Sequence, residues 1–379
     1  MKKFSVIILT VLSLQFAHGQ KAELFRAISP YFSPPDSLKN DFGDFRSPLL
    51  FNDGTPVKTA QQWAKRKQEI KKDWENYLGK WPELYKDQTF EYLDTTDKGT
   101  YTQYTVRFKW TPNESTVGFL LVPKNVKGKM PAVVTVFYNA ETSIGIGTQS
   151  RPLAPHRDFA LQLANRGFVT LAIGTKEASE RNEFSLYYPS IDSVSVQPLS
   201  MLGYAANNAY YVLANRKDVD AKKIGIVGHS FGGKWSMFAS CLTDNFAAAV
   251  WSDPGIVMQE DRGSINYWEP WYLGFHPKPW RKRGLITKEN PAYGVYDRLR
   301  KDGHNLHELH ALMAPRPFLV SGGSEDPVTQ WRPLNHSVAV NKLLGYENRV
   351  AMTNRPKHAL TEDATENIYK FFEYFLKYQ

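Results

Sequence analysis

The chain has 379 residues, 42% hydrophobic and 22% charged, which is enough apolar material for a sizeable core and excludes a wholly disordered polymer. Its formal charge of +9 favours acidic partners, but no zinc-finger spacing, RNA-binding signature or dense basic block points to nucleic acid. The single cysteine, Cys241, excludes an internal disulfide, so stability must come from the core.

The chain opens on a leader-like segment. Lys2 and Lys3 precede an apolar run from Phe4 to Leu14, and Ala17 and Gly19 supply small residues ahead of Gln20. That is the layout of a secretory signal peptide over residues 1–19, too short to span a membrane, so a periplasmic or secreted protein without membrane insertion is expected. No cysteine follows the run, which argues against a lipid anchor. Cleavage removes two lysines and no acids, leaving a charge of +7.

Residues 20–100 read as an N-terminal extension laid against the main body. A helix is predicted over 59–78, with Trp63, Ile70, Trp74 and Tyr77 on one side and Gly79 and Pro82 as its stop. From residue 101 to 379 the pattern changes. Tyr104, Val106, Phe108 and Trp110 alternate as in a strand, and further strands are predicted at 117–122, 132–138, 168–173, 224–227, 247–251, 318–321 and 349–352. Helices are predicted between them at 159–165, 202–215, 231–242 and 335–344, with a terminal helix over 361–378. Strands alternating with helices imply a mostly parallel sheet with helices on both faces. Residues 253–312 have weak periodicity and form an insertion of the kind that often caps a site.

Gly228-His229-Ser230-Phe231-Gly232 fits Gly-x-Ser-x-Gly between a predicted strand and a predicted helix. The chemistry needs those glycines, because the serine must sit on a sharp strand-to-helix turn that lifts its oxygen above the sheet edge. Ser230 is therefore the candidate nucleophile. A base and an acid should follow in the order Ser, Asp or Glu, His. Asp326, in the turn Gly322-Gly323-Ser324-Glu325-Asp326-Pro327, is the expected acid; Glu325 beside it and Asp253, at the end of the preceding strand, are alternatives. His358, in the loop before the last helix, is the expected base, while His229 is expected to pack locally. The oxyanion hole should combine the Phe231 N–H with a donor from the loop at Asn139-Ala140. An acyl-enzyme route of this kind needs no metal or organic cofactor.

These residues resemble the dienelactone-hydrolase-like branch of the α/β-hydrolases over about 110–379, and within it bacterial carbohydrate esterases of the glucuronoyl esterase and pectin methylesterase type. The likeness is carried by Gly228-His229-Ser230-Phe231-Gly232-Gly233-Lys234, by Leu306-His307-Glu308-Leu309 leading into Ala314-Pro315-Arg316-Pro317, and by the His358 loop. It implies an α/β-hydrolase fold with the insertion after strand 6, and hydrolysis of an ester on a plant polysaccharide carrying esterified uronic acids, a methyl ester first among them. Acetyl xylan and glucuronoyl esters are the alternatives, with a peptidase or a non-catalytic carbohydrate-binding protein behind them. In glucuronoyl esterases an arginine follows the serine, where this chain has Phe231, and a lysine four places on contacts the uronate, where this chain has Lys234. Trp268 and Trp271, in the insertion, are the aromatic candidates for stacking on sugar rings.

Overall fold

A computed structural model of the protein describes residues 19–148, 152–175 and 185–378. Apart from Gly19, the leader expected over 1–19 lies outside the described residues.

Eleven strands are described: β1 (Glu91–Asp97), β2 (Tyr101–Lys109), β3 (Ser115–Pro123), β4 (Met130–Phe137), β5 (Val169–Gly174), β6 (Tyr188–Ser190), β7 (Ser193–Val196), β8 (Val219–His229), β9 (Ala248–Ser252), β10 (Phe318–Gly322) and β11 (Val350–Asn354). Nine of them form one sheet in the order β1-β2-β3-β5-β4-β8-β9-β10-β11, while β6 and β7 make a separate hairpin. The first three strands and the β3–β5 pair are antiparallel, and every pair from β5 to β11 is parallel. This is the α/β-hydrolase fold.

Alternation along each strand divides the core into two layers. On β4, Ala132, Val134 and Val136 pack toward the helices Pro198–Ala214 and Phe231–Cys241; Val133 faces the layer that holds Phe159, Ile368 and Phe372. The predicted helices thus lie on both faces.

The extension is bonded into the body. Its helix, Ala60–Leu78, starts at Thr59, whose hydroxyl accepts the Gln62 N–H at 3.1 Å, and ends at Gly79 with φ 84°. Trp63, Ile70, Trp74 and Leu78 are buried at helical spacing, and the Trp74 indole N–H donates to Glu308 Oε2 at 3.0 Å. Tyr77, expected on the same side, is half-buried at its edge and donates to Asp302 at 2.5 Å. The extension also supplies β1, an exposed edge strand that the sequence pattern did not announce.

The insertion between β9 and β10 adds Ile265, Tyr267, Trp268, Trp271 and Tyr296 to the main core, and a buried ion pair organises its outer loop. The Arg281 guanidinium pairs with Glu269 at 3.0 Å with both side chains sealed from solvent, and it donates to the carbonyls of Gly284, Leu285, Asn290 and Pro291. Five donors in a rigid fork let one side chain organise that irregular backbone.

Candidate active site

β8 ends at His229 and the helix Phe231–Cys241 begins two residues later, leaving Ser230 at φ 58°, ψ −115°. A side chain seldom adopts that conformation, and it persists here because the surroundings hold it. The Ser230 N–H donates to Ser252 O on β9 at 2.8 Å, and Ser230 O accepts the Lys234 N–H at 3.0 Å. A Cβ on Gly228 would collide with the Gly232 backbone, and one on Gly232 with the Val136 carbonyl of β4, so the turn admits only glycine at both places.

His358 meets this turn. Its Nε2 lies 2.8 Å from Ser230 Oγ and its Nδ1 lies 2.7 Å from Asp253 Oδ2. The His358 side chain is 36% exposed and that of Asp253 is 0% exposed, so the imidazole is partly open while the carboxylate is sealed. Asp253 sits at φ 51°, and its Oδ1 accepts the N–H groups of Gly323, Glu325 and Asp326 at 2.6, 3.1 and 2.8 Å.

The expected acid, Asp326, is therefore displaced by its alternative, Asp253. Asp326 does lie beside the site, in the turn that follows β10, but its carboxylate turns away from His358 and accepts the Gly255 and Ile256 N–H groups at 2.9 and 2.6 Å. Burial, and then the charge of Asp253, push its carboxyl up to about 7, against the two N–H donors and Lys234. Glu325 accepts the Ser264 and Ser324 hydroxyls instead of His358.

Lys234 is also corrected. It lies one helical turn past Ser230, yet its ammonium is buried, donates to Pro254 O and sits 4.4 Å from the Tyr267 ring centre. Burial lowers its pKa to about 8, and the carboxylates of Asp326, Glu325 and Asp253 oppose that shift. It braces the turn after Asp253 and is enclosed by the protein. Trp268 and Trp271 are likewise core: Trp268 is fully buried with its indole N–H on Gly284 O at 2.9 Å, and Trp271 is buried under the Arg283 guanidinium at 4.9 Å. An irregular insertion still needs apolar filling, and these rings supply it.

Phe231 opens its helix, where the first-turn N–H groups have no acceptor within the helix, as an oxyanion donor requires. Asn139 is buried against Gly174 of β5, and its side chain donates to Thr148 at 2.7 Å. Its neighbour Tyr138 reaches the Ser230 turn, with its ring stacked on Phe231 at 4.6 Å. His229 packs locally as expected, with Nδ1 3.2 Å from Ser252 Oγ and its ring 4.7 Å from that of His358. Burial, then the nearby charges of His358, Arg157 and Arg355, hold its pKa well below the usual range.

One residue at the site had no signal in the sequence beyond its nearness to His358. Arg355 is buried under the His358 loop and bonded to main-chain carbonyls on two elements. Among the described residues no group of three or more His, Cys, Asp or Glu is placed to hold a metal ion.

The hydrogen-bonded series Asp253–His358–Ser230, with helix N–H groups beside the serine, is an arrangement suited to nucleophilic acyl transfer. Known proteins bear on it as follows. The Prolyl oligopeptidase family profile matches residues 206–379, which contain Ser230, Asp253 and His358. No curated protein sequence matches the chain significantly. Among solved structures, a glucuronoyl esterase from Solibacter usitatus superposes with a TM-score of 0.67 at 18% identity, covering 89% of this chain and 99% of that one. A CE15 glucuronoyl esterase from Teredinibacter turnerae T7901 gives 0.62 at 18% identity over 94% and 98%. A putative acetyl xylan esterase from Bacteroides fragilis NCTC 9343 gives 0.58 at 15% identity over 88% of this chain and 89% of that one. The likeness to carbohydrate esterases expected from the motifs is thus found again in the shape of the whole molecule.

Proposed function

We propose that this chain is an exported serine esterase that cleaves esters of uronic-acid sugars, with the methyl ester of a pectin-type polysaccharide as its first substrate. The observation that carries the proposal is the continuous chain of hydrogen bonds from Asp253 through His358 to Ser230 Oγ. In this reading His358 Nε2 takes the Ser230 proton as Oγ attacks the ester carbonyl. Asp253 stabilises the imidazolium and holds its tautomer, and the Phe231 N–H receives the developing oxyanion. The proton then passes to the departing alkoxide, and water activated by the same imidazole releases the acyl group from Ser230.

The uronate part of the proposal rests on the sequence resemblance, on the positive charge of the chain and on the esterases that share its architecture. With Lys234 enclosed, Arg157, over the Phe137 ring at 5.4 Å, and Arg283, over Trp271, are the cations this reading assigns to a uronate. A glucuronoyl ester is the second reading, favoured by the near-complete coverage of the Solibacter enzyme. It differs in the uronic acid that is bound and in the alcohol that leaves.

One panel tests these readings: methyl-esterified polygalacturonan, benzyl glucuronate, acetylated xylan and a prolyl anilide, each with wild type and Ser230→Ala. Ser230-dependent methanol release is the expected result. Benzyl alcohol without methanol would move the assignment to glucuronoyl esters, acetate alone to acetyl esters, and anilide alone to peptides.

A further inference from the structure

Arg355 opens the loop that carries His358. The loop runs from β11 to the helix Glu362–Phe372 without regular structure and contains Pro356, so it has few main-chain bonds of its own. The Arg355 side chain supplies what the backbone lacks. Nε donates to Ala359 O at 2.9 Å, and one terminal nitrogen donates to His358 O at 2.9 Å. The other donates to Ser321 O at 2.8 Å, Gly322 O at 3.1 Å and Ser321 Oγ at 3.2 Å. The Arg355 main-chain N–H adds a bond to Gly322 O at 3.1 Å.

One side of the guanidinium therefore holds the two peptide groups around the base. The other side holds the last two residues of β10, whose following turn donates three N–H groups to Asp253. The same cation lies 3.9 Å from Asp253 Oδ2. A planar fork can satisfy these diverging acceptors at once, and the three donors of an ammonium cannot.

We propose that Arg355 is the positioning residue of this site, setting the distance and angle of His358 relative to both Ser230 and the Asp253 turn without touching substrate. The proposal rests on the Ser230–His358–Asp253 reading, which the experiment checks separately. Misplacing a reacting group by an ångström costs about a hundredfold in rate. The expected result for Arg355→Ala is a fall in kcat of about that size on a uronate methyl ester, with KM within about twofold, because no substrate contact is lost. Labelling of Ser230 by a fluorophosphonate should slow in parallel. Arg355→Lys, which keeps the charge and loses the fork, should fall by about tenfold. Added guanidinium ion, well below denaturing concentration, should restore part of the kcat of folded Arg355→Ala and none of that of Ser230→Ala.

If Arg355→Ala does not fold, Arg355→Lys carries the test. Wild-type kcat in a folded variant overturns the proposal, as does a loss carried by KM or one that matches the fall in folded fraction. Hydrolysis that survives Ser230→Ala would instead remove the underlying reading.

Discussion

Asp253 and Asp326 each accept main-chain hydrogen bonds from the turn that carries the other, across the space between the β9 and β10 turns. Asp253 Oδ1 accepts the Asp326 N–H at 2.8 Å, and Asp326 accepts the two N–H groups that follow Pro254. Each carboxylate fixes the turn that carries the other, but only Asp253 has an oxygen left for His358. Asp253→Asn should therefore lower kcat by about a thousandfold or more through loss of imidazolium stabilisation and the wrong tautomer. Asp326→Asn should cost about tenfold by loosening the turn. Steady-state kinetics on the two folded variants check the ranking, and the reverse order would return the acid to β10.

Ser230→Ala and His358→Ala should each abolish ester hydrolysis, and the double variant should be scarcely worse than either. Members of such a unit lose their effect together. Circular dichroism confirms folding, and additive losses in log kcat would separate the two residues.

Gly323 leaves no room for a side chain: a Cβ there would stand 2.5 Å from both Asp253 Oδ2 and Lys357 O. Gly323→Ala is expected to push the acid away from His358, lowering kcat by about tenfold or more, with about 1–3 kcal/mol of lost stability from crowding. Urea titration and kinetics on one preparation measure both, and unchanged kcat would mean that Asp253 keeps its place without this close approach.

Because Lys234 is enclosed, Lys234→Met should act on stability before specificity. It leaves Pro254 O without its donor and removes the buried cation facing Asp326, at a cost of about 2 kcal/mol or more. The ratio of activity on a charged uronate ester to that on a neutral acetyl ester should stay as in wild type at low and high salt. A selective drop on the uronate ester would restore Lys234 as a substrate contact.

Acid should loosen the extension where it meets the helix Trp331–Leu343. His336 lies within hydrogen-bond distance of Phe42 O at 3.1 Å, and its pKa is pushed down to about 4, first by burial and then by His307, against the Phe42 carbonyl. The unfolded chain protonates this ring near 6.5 and the folded chain does not, so stability falls as pH drops from 6.5 toward 4 and is level above that window. The effect is at most about 3 kcal/mol for this residue. His336→Gln keeps a donor without a titrating ring, so urea unfolding at pH 7.5, 5.5 and 4.5 should show a shallower slope than wild type. Equal slopes would assign the acid sensitivity elsewhere.

Most of the sheet was legible because its strands are either apolar runs, such as β4, or alternations, such as β2. β1 was not, since Glu91–Asp97 is polar and exposed and becomes a strand only by pairing with β2. The meeting of Ser230 with His358 was legible from the glycines of the turn and the order of the chain. The acid was not: Trp251-Ser252-Asp253 and Ser321-Gly322-Gly323 with Asp326 look alike as strand ends, and the choice lies in the direction each carboxylate takes. Lys234 shares the helix face of Ser230, as its spacing implies, but Pro254 and Tyr267 close over that face. Trp268 and Trp271 show that weak periodicity does not mean exposure.

The self-pinned insertion has a practical meaning for protein engineering. Arg281 and Glu269 gather residues 281–291 around themselves, while the turn after Asp253 is fastened separately by Asp326, Lys234 and the Tyr267 hydroxyl on Gly255 O. Loops within 281–291 are thus natural places for grafting or library design, since their exchange leaves the fastenings of the acid in place.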